Sequence, residues 1–76
     1  MNSTHENADC SLGIVTDCRL LNVRKEANAD SPIICVIPAL SELMIDVDES
    51  TSDFYKVCTA AGVEGYCVRK YVAIKR

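Results

Sequence analysis

Apolar residues in this chain occur in short runs that alternate with polar neighbours, and turn-forming residues interrupt them every few positions. LGIVTDC (12–18) is rich in β-branched residues, LMIDVD (43–48) alternates Leu43, Ile45 and Val47 with Met44, Asp46 and Asp48, and FYKVCT (54–59) follows an acidic stretch. Alternation with a period of two predicts half-buried strands, because a helix would need apolar residues three and four positions apart. Five or six short antiparallel strands without a long helix predict an all-β fold, a small barrel.

The hairpin at residues 43–59 is the clearest local prediction. ESTSD (49–53) forms its acidic tip, and Tyr55 and Val57 share one face of the returning strand. PALSELM (38–44) also fits a helical turn with Pro38 near its first position. The β-branched residues that follow favour the strand over this alternative.

Length and composition indicate one globular domain. The chain has 76 residues, of which 49% are hydrophobic and 25% charged. MNSTHENADCS (1–11) is polar and aperiodic, which predicts a flexible N-terminal tail before a folded domain at residues 12–76. The longest fully apolar run, IICVI (33–37), is far shorter than the roughly 20 residues that span a bilayer, so membrane insertion is not expected.

The five cysteines favour free thiols over a disulfide framework. Their number is odd, and residues 1–11 lack the basic start and apolar run of a signal peptide, so an oxidising compartment is not indicated. Cysteines inside strands often act as small buried hydrophobes. One pairing stays open, because Cys58 and Cys67 would face each other across a hairpin that turns at Gly62 and Val63.

No arrangement of residues predicts catalysis or metal binding. His5 is the only histidine and lies in the predicted tail, and no nucleophile elbow or phosphate loop is present. The cysteine spacings contain no C-x-x-C element. The sequence therefore predicts a non-enzyme with no catalytic residue, no metal ligand and no cofactor.

Charge is segregated along the chain. Residues 42–53 hold five acids and no base, and residues 56–76 hold five bases and one acid. This pattern could attract a basic peptide, but a solvated face that keeps the protein soluble is favoured. The net charge of −3 and the absence of a basic stripe argue against nucleic acid as a partner.

Four pieces, in order, resemble the bacterial SH3 domain family (SH3b, or SH3 type 3) across residues 13–72. They are GIVT with LNVR, a polar loop ending in SPII, FYKVC, and the closing EGYCVRKYV. The family's Leu-x-x-Gly is LSEL here, and Phe54 and Tyr66 stand where tryptophan is usual, so a groove of stacked indoles is not expected. The resemblance implies an SH3-like barrel of five to six short antiparallel strands.

The resemblance also implies where a ligand would bind. Residues 25–32 would form the long RT-type loop that folds over one end of the barrel and makes one wall of a groove. The aromatics are the best binding candidates, because a ring with a polar tip suits peptide recognition. The predicted ligand-binding residues are Asn22, Phe54, Tyr55, Tyr66 and Tyr71.

Local patterns refine this set. Strand alternation puts Phe54 and Tyr55 on opposite faces, so the two cannot both be core. Arg24 is predicted to support the fold, either by pairing with an acidic neighbour or by bonding loop carbonyls. For Asn22, a fold role and a role in a polar groove floor remain equally open.

Family members often serve as non-catalytic modules that bind the bacterial cell wall. The resemblance thus implies recognition of a peptidoglycan stem or cross-bridge peptide and targeting of an attached or partner protein to the wall. The alternative is an intracellular SH3-like domain that binds a short extended protein segment, favoured by the free thiols and the missing export signal. A monomer is expected, in the cell envelope or outside the cell for an exported parent, and otherwise in the cytoplasm.

Overall fold

The computed structural model describes residues 10–75 and confirms the all-β fold. The seven strands are β1 (Cys10–Val15), β2 (Leu20–Arg24), β3 (Ile33–Pro38), β4 (Glu42–Asp46), β5 (Phe54–Thr59), β6 (Glu64–Val68) and β7 (Val72–Ile74). Two short 3-10 helices, Val47–Glu49 and Arg69–Tyr71, precede β5 and β7. The strands form one antiparallel sheet in the order β3-β2-β6-β5-β4-β1-β7, consistent with a small SH3-like barrel.

The ends of the fold differ from the sequence-based boundaries. β1 begins at Cys10, two residues before the expected start of the domain, while the remainder of the predicted tail, residues 1–9, lies outside the described residues. The closing residues Val72–Ile74 form a seventh strand where the sequence indicated only a bend and a terminus. They do so because β1 offers them an antiparallel partner.

The predicted hairpin is present as β4 and β5, with Leu43 opposite Thr59 and Ile45 opposite Val57. The helical alternative at residues 38–44 is wrong, since β4 begins at Glu42. β4 ends one residue earlier than the alternation suggested, because the Asp46 side chain accepts a hydrogen bond from the Glu49 N–H and caps a 3-10 turn.

The core lies on the concave face of the curled sheet. Alternate residues of each strand point inward, and the buried cluster contains Val15, Leu21, Val23, Leu43, Ile45, Tyr55, Val57, Cys67 and Val72. Gly65 permits the close approach of β2 and β6, since a Cβ there would lie 2.6 Å from the Arg24 carbonyl oxygen. A residue without a side chain is therefore required where these strands meet.

All five cysteines, which lie within the described residues, are free thiols. The open pairing of Cys58 with Cys67 is wrong, because Cys58 lies opposite Glu64 and Cys67 lies opposite Tyr55. Residues nine positions apart on this hairpin point to opposite faces of the sheet. Cys67 is fully buried, and burial together with the neighbouring Cys35 and Cys18 thiols raises its pKa to about 12.

Within residues 10–75, no helix has the length and hydropathy needed to cross a bilayer. The same part of the chain contains no cluster of histidine, cysteine and acidic side chains arranged to hold a metal ion.

Candidate functional site

A groove of about 580 Å³ opens where β5 begins and β6 ends. It is lined by Ser52, Asp53, Phe54, Tyr55, Val68, Arg69 and Lys70. Phe54 and Val68 are the first cross-strand pair of the β5–β6 hairpin. Beyond this pair the two strands continue into the tip loop (residues 50–53) and the 3-10 helix Arg69–Tyr71, which form the sides of the groove.

Arg69 holds the two sides of this groove together. Its guanidinium carbon lies 4.4 Å from the centre of the Tyr55 ring. Its Nη1 donates a hydrogen bond to the Thr51 carbonyl at 2.8 Å, and its backbone N–H donates to the Asp53 carbonyl at 3.0 Å. A cation above an aromatic face is attracted by the ring quadrupole, so stacking and hydrogen bonding together fix the tip loop against the 3-10 helix.

The groove combines both signs of charge with an apolar floor. Arg69, Lys70 and Asp53 are exposed at its rim, whereas Phe54 and Tyr55 are each only 8% exposed. The aromatic rings therefore contribute edges to the floor and offer no open stacking surface. Such a site suits a short polar segment that carries a carboxylate and an amine, which the rim charges would bind.

Residues 19–73 match the family model of the bacterial SH3 domain. The chain belongs to the bacterial SH3 domain family. The match covers more than two thirds of the sequence and runs from the residue before β2 into β7. No curated protein is similar enough to the chain to count as a match. Members of this family are generally binding modules rather than enzymes, so family membership suggests a binding module here.

Phe54 and Tyr55 are the two predicted site residues that line the groove of this SH3 domain. Tyr55 packs into the core cluster, and Phe54 lies outside it on the opposite face of β5. Phe54 is nevertheless buried, and its backbone is bonded to the tip loop. Thr51 clamps the loop there, donating its N–H to the Phe54 carbonyl at 2.8 Å and accepting the Phe54 N–H at Oγ1 at 3.0 Å.

Tyr66 lies on the convex face of the sheet and does not line the groove. It is opposite Lys56 on β5 and Arg24 on β2. The Lys56 Nζ lies 5.5 Å from the centre of its ring and 3.9 Å from the Glu64 carboxylate. On this face Tyr66 is the diagonal neighbour of Phe54, a separation that an aromatic side chain can bridge.

Tyr71 and Asn22 lie apart from the groove lining. Tyr71 is partly buried against the core, its carbonyl accepts the Thr16 N–H at 2.8 Å, and the Lys70 Nζ lies 5.2 Å from its ring centre. Asn22 is exposed on β2 opposite Val36, with β6 between its strand and β5. The five predicted residues therefore do not converge on one pocket.

The loop at residues 25–32 is folded on itself and lines no part of the groove. The Arg24 Nη1 donates to the Ser31 carbonyl at 2.7 Å, which confirms the predicted fold role of this arginine. Ser31 is buried, and its Oγ accepts the Glu26 N–H at 2.8 Å. Asn28 closes the tip by accepting the Asp30 N–H at 2.9 Å.

Sequence reasoning missed Asp53, Arg69 and Lys70, the charged residues of the groove rim. The only signal was the position of Arg69 and Lys70 directly after the closing EGYCV element. Asp53 was counted with the acidic hairpin tip, and only the β5–β6 register places it beside two bases.

Proposed function

We propose that this bacterial SH3 domain binds peptidoglycan through a stem or cross-bridge peptide and thereby targets an attached or partner protein to the cell wall. Family membership supports a binding module, and the observation that carries the choice of ligand is the groove rim, where the cationic Arg69 and Lys70 and the anionic Asp53 lie beside an apolar floor. Wall peptides are short and carry both carboxylates and amines. The rim offers a partner for each of these groups.

In this proposal the peptide lies extended in the groove. Lys70 and the guanidinium N–H groups of Arg69 that do not contact Thr51 bind a carboxylate, and Asp53 binds an ammonium group. Phe54, Tyr55 and Val68 supply the apolar floor. Hydrogen bonds to the peptide backbone add affinity, and side-chain contacts add selectivity.

The five sequence-predicted residues have different roles in this binding. Phe54 and Tyr55 form the floor, and Tyr66 extends the surface on the convex side of Phe54. Tyr71 acts indirectly, by holding the Lys70 side chain near its ring. Asn22 takes no part, because β6 separates its strand from the groove.

Sedimentation with insoluble peptidoglycan sacculi tests this function. The wild type is compared with Lys70→Glu, which reverses a rim charge, and with Lys25→Glu, which makes the same charge change on the exposed 25–32 loop. We expect the wild type and Lys25→Glu to sediment with sacculi and Lys70→Glu to remain in the supernatant. Circular dichroism confirms that each variant is folded.

Loss of sedimentation in Lys25→Glu alone would move the binding site to the 25–32 loop, as the family resemblance implies. If no form sediments while all are folded, wall binding is contradicted.

A second candidate is an interaction domain that binds a short extended protein segment in a reducing compartment. The five free thiols favour it, because exported domains of this size commonly contain disulfides. Mass spectrometry of thiols, alkylated in the native cells before lysis, separates the two functions. Fully reduced cysteines favour the protein segment, and disulfides favour the wall.

A further inference from the structure

Exposed apolar side chains concentrate on one edge of the sheet. In the described part of the chain, seven large hydrophobic residues are exposed, and five of these lie on β3, beside it or in the turn after it: Leu20, Ile33, Ile34, Val36 and Leu40. β3 is an edge strand, paired only with β2. A long apolar edge strand is a template for pairing with another chain.

At this edge the backbone groups of Val36, near the middle of β3, have no partner on β2. The Ala39 N–H donates to the Arg19 carbonyl at 2.9 Å, which sets the alternation of hydrogen-bonded pairs between β2 and β3. Val36 lies opposite Asn22, three positions from that pair, so its N–H and C=O point away from β2. Pro38 has the same orientation, but it lacks an N–H and its carbonyl accepts the Ser41 hydroxyl at 2.7 Å.

An apolar cleft of about 430 Å³ runs along the same edge. Cys35, Val36 and Ile37 form one wall, and the β5–β6 turn forms the other with Thr59, Ala60, Ala61 and Val63. Glu42 is the one charged residue that lines the cleft, and the Lys75 Nζ lies 3.4 Å from its carboxylate. The cleft therefore suits an uncharged, apolar strand.

We propose that β3 pairs antiparallel with β3 of a second copy of this chain, in a dimer with twofold symmetry about Val36. In this arrangement the Val36 N–H of each copy donates to the Val36 C=O of the other, which satisfies both groups. The cleft beside each β3 gives room for the incoming strand.

Charge favours a second copy as the occupant. Residues 32–41 contain no charged side chain, whereas the chain as a whole has a net charge of −3 that opposes contact through its other faces. Antiparallel pairing brings Arg19, at the Pro38 end of one β3, towards Glu26 and Asp30, near the Ile33 end of the other. None of these three forms a salt bridge within residues 10–75.

The exposed area is sufficient for a small dimer. The five apolar residues are between 46% and 75% exposed. Together they present on the order of 500 Å² per copy, about what each partner contributes to the smallest specific interfaces. The proposal does not rest on wall binding, and it departs from the sequence-based expectation of a monomer because folding leaves these residues outside the core.

Sedimentation velocity of the full chain, from micromolar to near-millimolar concentration, tests the dimer. A reducing agent is present throughout so that no disulfide can link two copies. Val36→Lys places a charge at the centre of the edge, and Val47→Lys is the matched control, since Val36 is 46% and Val47 48% exposed. We expect a monomer–dimer equilibrium in the wild type and in Val47→Lys, with a dissociation constant about tenfold higher or more in Val36→Lys.

Hydrogen exchange gives a second measurement that needs no variant. The Val36 amide is expected to exchange rapidly in dilute protein and more slowly as the concentration rises. A wild type that stays monomeric at every concentration overturns the proposal. The partner of β3 would then be a strand of a different protein. Equal dimerisation of Val36→Lys and Val47→Lys, or a Val36 exchange rate independent of concentration, also overturns it.

Discussion

The guanidinium of Arg69 stacks on the ring of Tyr55, with 4.4 Å between the guanidinium carbon and the ring centre. Tyr55 is a core residue, and Arg69 also donates to the Thr51 carbonyl at 2.8 Å. One exposed side chain thus connects the core, the hairpin tip and the 3-10 helix that carries the groove rim. The groove depends on this contact for its shape.

Removing this contact should destabilise the domain. Arg69→Ala loses a cation–π contact and a hydrogen bond, so we expect the free energy of unfolding to fall by about 1–2 kcal/mol. Urea unfolding measures the change. Lys70→Ala is the control, because the exposed Lys70 has only a 5.2 Å approach to Tyr71, and it should stay within about 0.5 kcal/mol of the wild type. Equal effects of the two variants would contradict the assigned role of Arg69.

Two glycines should differ in their tolerance of a methyl group. A Cβ on Gly65 would lie 2.6 Å from both the Arg24 carbonyl oxygen and the Val23 Cγ1, and the β2 backbone cannot retreat without losing its pairing with β6. We expect Gly65→Ala to cost about 2 kcal/mol or more. Gly62→Ala meets no atom within 4 Å but has φ +87°, so its cost should be about 1 kcal/mol. Thermal unfolding of both variants measures which substitution costs more stability. A larger cost for Gly62→Ala than for Gly65→Ala would contradict the close approach of β2 to β6 at Gly65.

The buried Cys67 thiol should make stability fall at alkaline pH. Its pKa rises from 9.0 to about 12 on folding, so between these values the unfolded chain releases a proton that the native state retains. Stability from this group is complete below pH 9.0 and declines by about 1.4 kcal/mol per pH unit as the pH rises towards 12. In Cys67→Ala, stability should therefore fall less steeply with pH between pH 9.0 and 12 than it does in the wild type.

Urea unfolding of both proteins from pH 8 to 11 measures the slopes. A cavity in Cys67→Ala lowers its stability at every pH, so only the slopes are compared, and the other alkaline groups titrate in both proteins. Parallel curves would show that Cys67 is not protected from ionisation by folding.

Replacing Leu40, in the turn after β3, with asparagine should raise the stability of the domain. Leu40 has φ 70° and is 75% exposed, so it occupies the left-handed region that disfavours leucine and buries little surface in return. We expect Leu40→Asn to stabilise the monomer by roughly 0.5–1 kcal/mol. Leu20→Asn, at an equally apolar exposed position inside a strand, should give no gain, because asparagine is depleted in strands.

Urea unfolding in dilute protein, where association does not contribute, compares the two leucine variants. A gain in Leu20→Asn that matches Leu40→Asn would mean that backbone conformation is not the cause.

Local patterns predicted the strands because burial alternates within each one. On β4, Leu43 and Ile45 are buried and Met44 between them is exposed, and Asp46 and Asp48 mark the same alternate positions as polar in the sequence. The Arg24 contact with Ser31 was also within reach, since both residues flank one short loop. These features depend on residues less than ten positions apart.

The register between paired strands was not predictable in this way. A hairpin of β5 and β6 was expected, but alternation does not show which of their residues lie opposite each other, so the sequence could not show that the Tyr66 ring meets Lys56 on the convex face. The exposure of Ile34 does not follow the strand alternation, because the β2–β3 register shifts at Val23 and Arg24. The groove rim was missed for the same reason, because Asp53 and Arg69 meet only through the β5–β6 hairpin.

β1 and β7 lie side by side, with Gly13 opposite Ile74 and the Lys75 N–H donating to the Leu12 carbonyl at 2.7 Å. Because the strands are antiparallel, a pull applied at residues 10 and 75 acts across the ladder, perpendicular to the strands. It opens one hydrogen bond at a time, beginning at Lys75, instead of shearing the whole ladder at once. Tension applied at residues 10 and 75 would therefore separate β7 from β1 at low force, and unfolding would begin at this edge of the sheet.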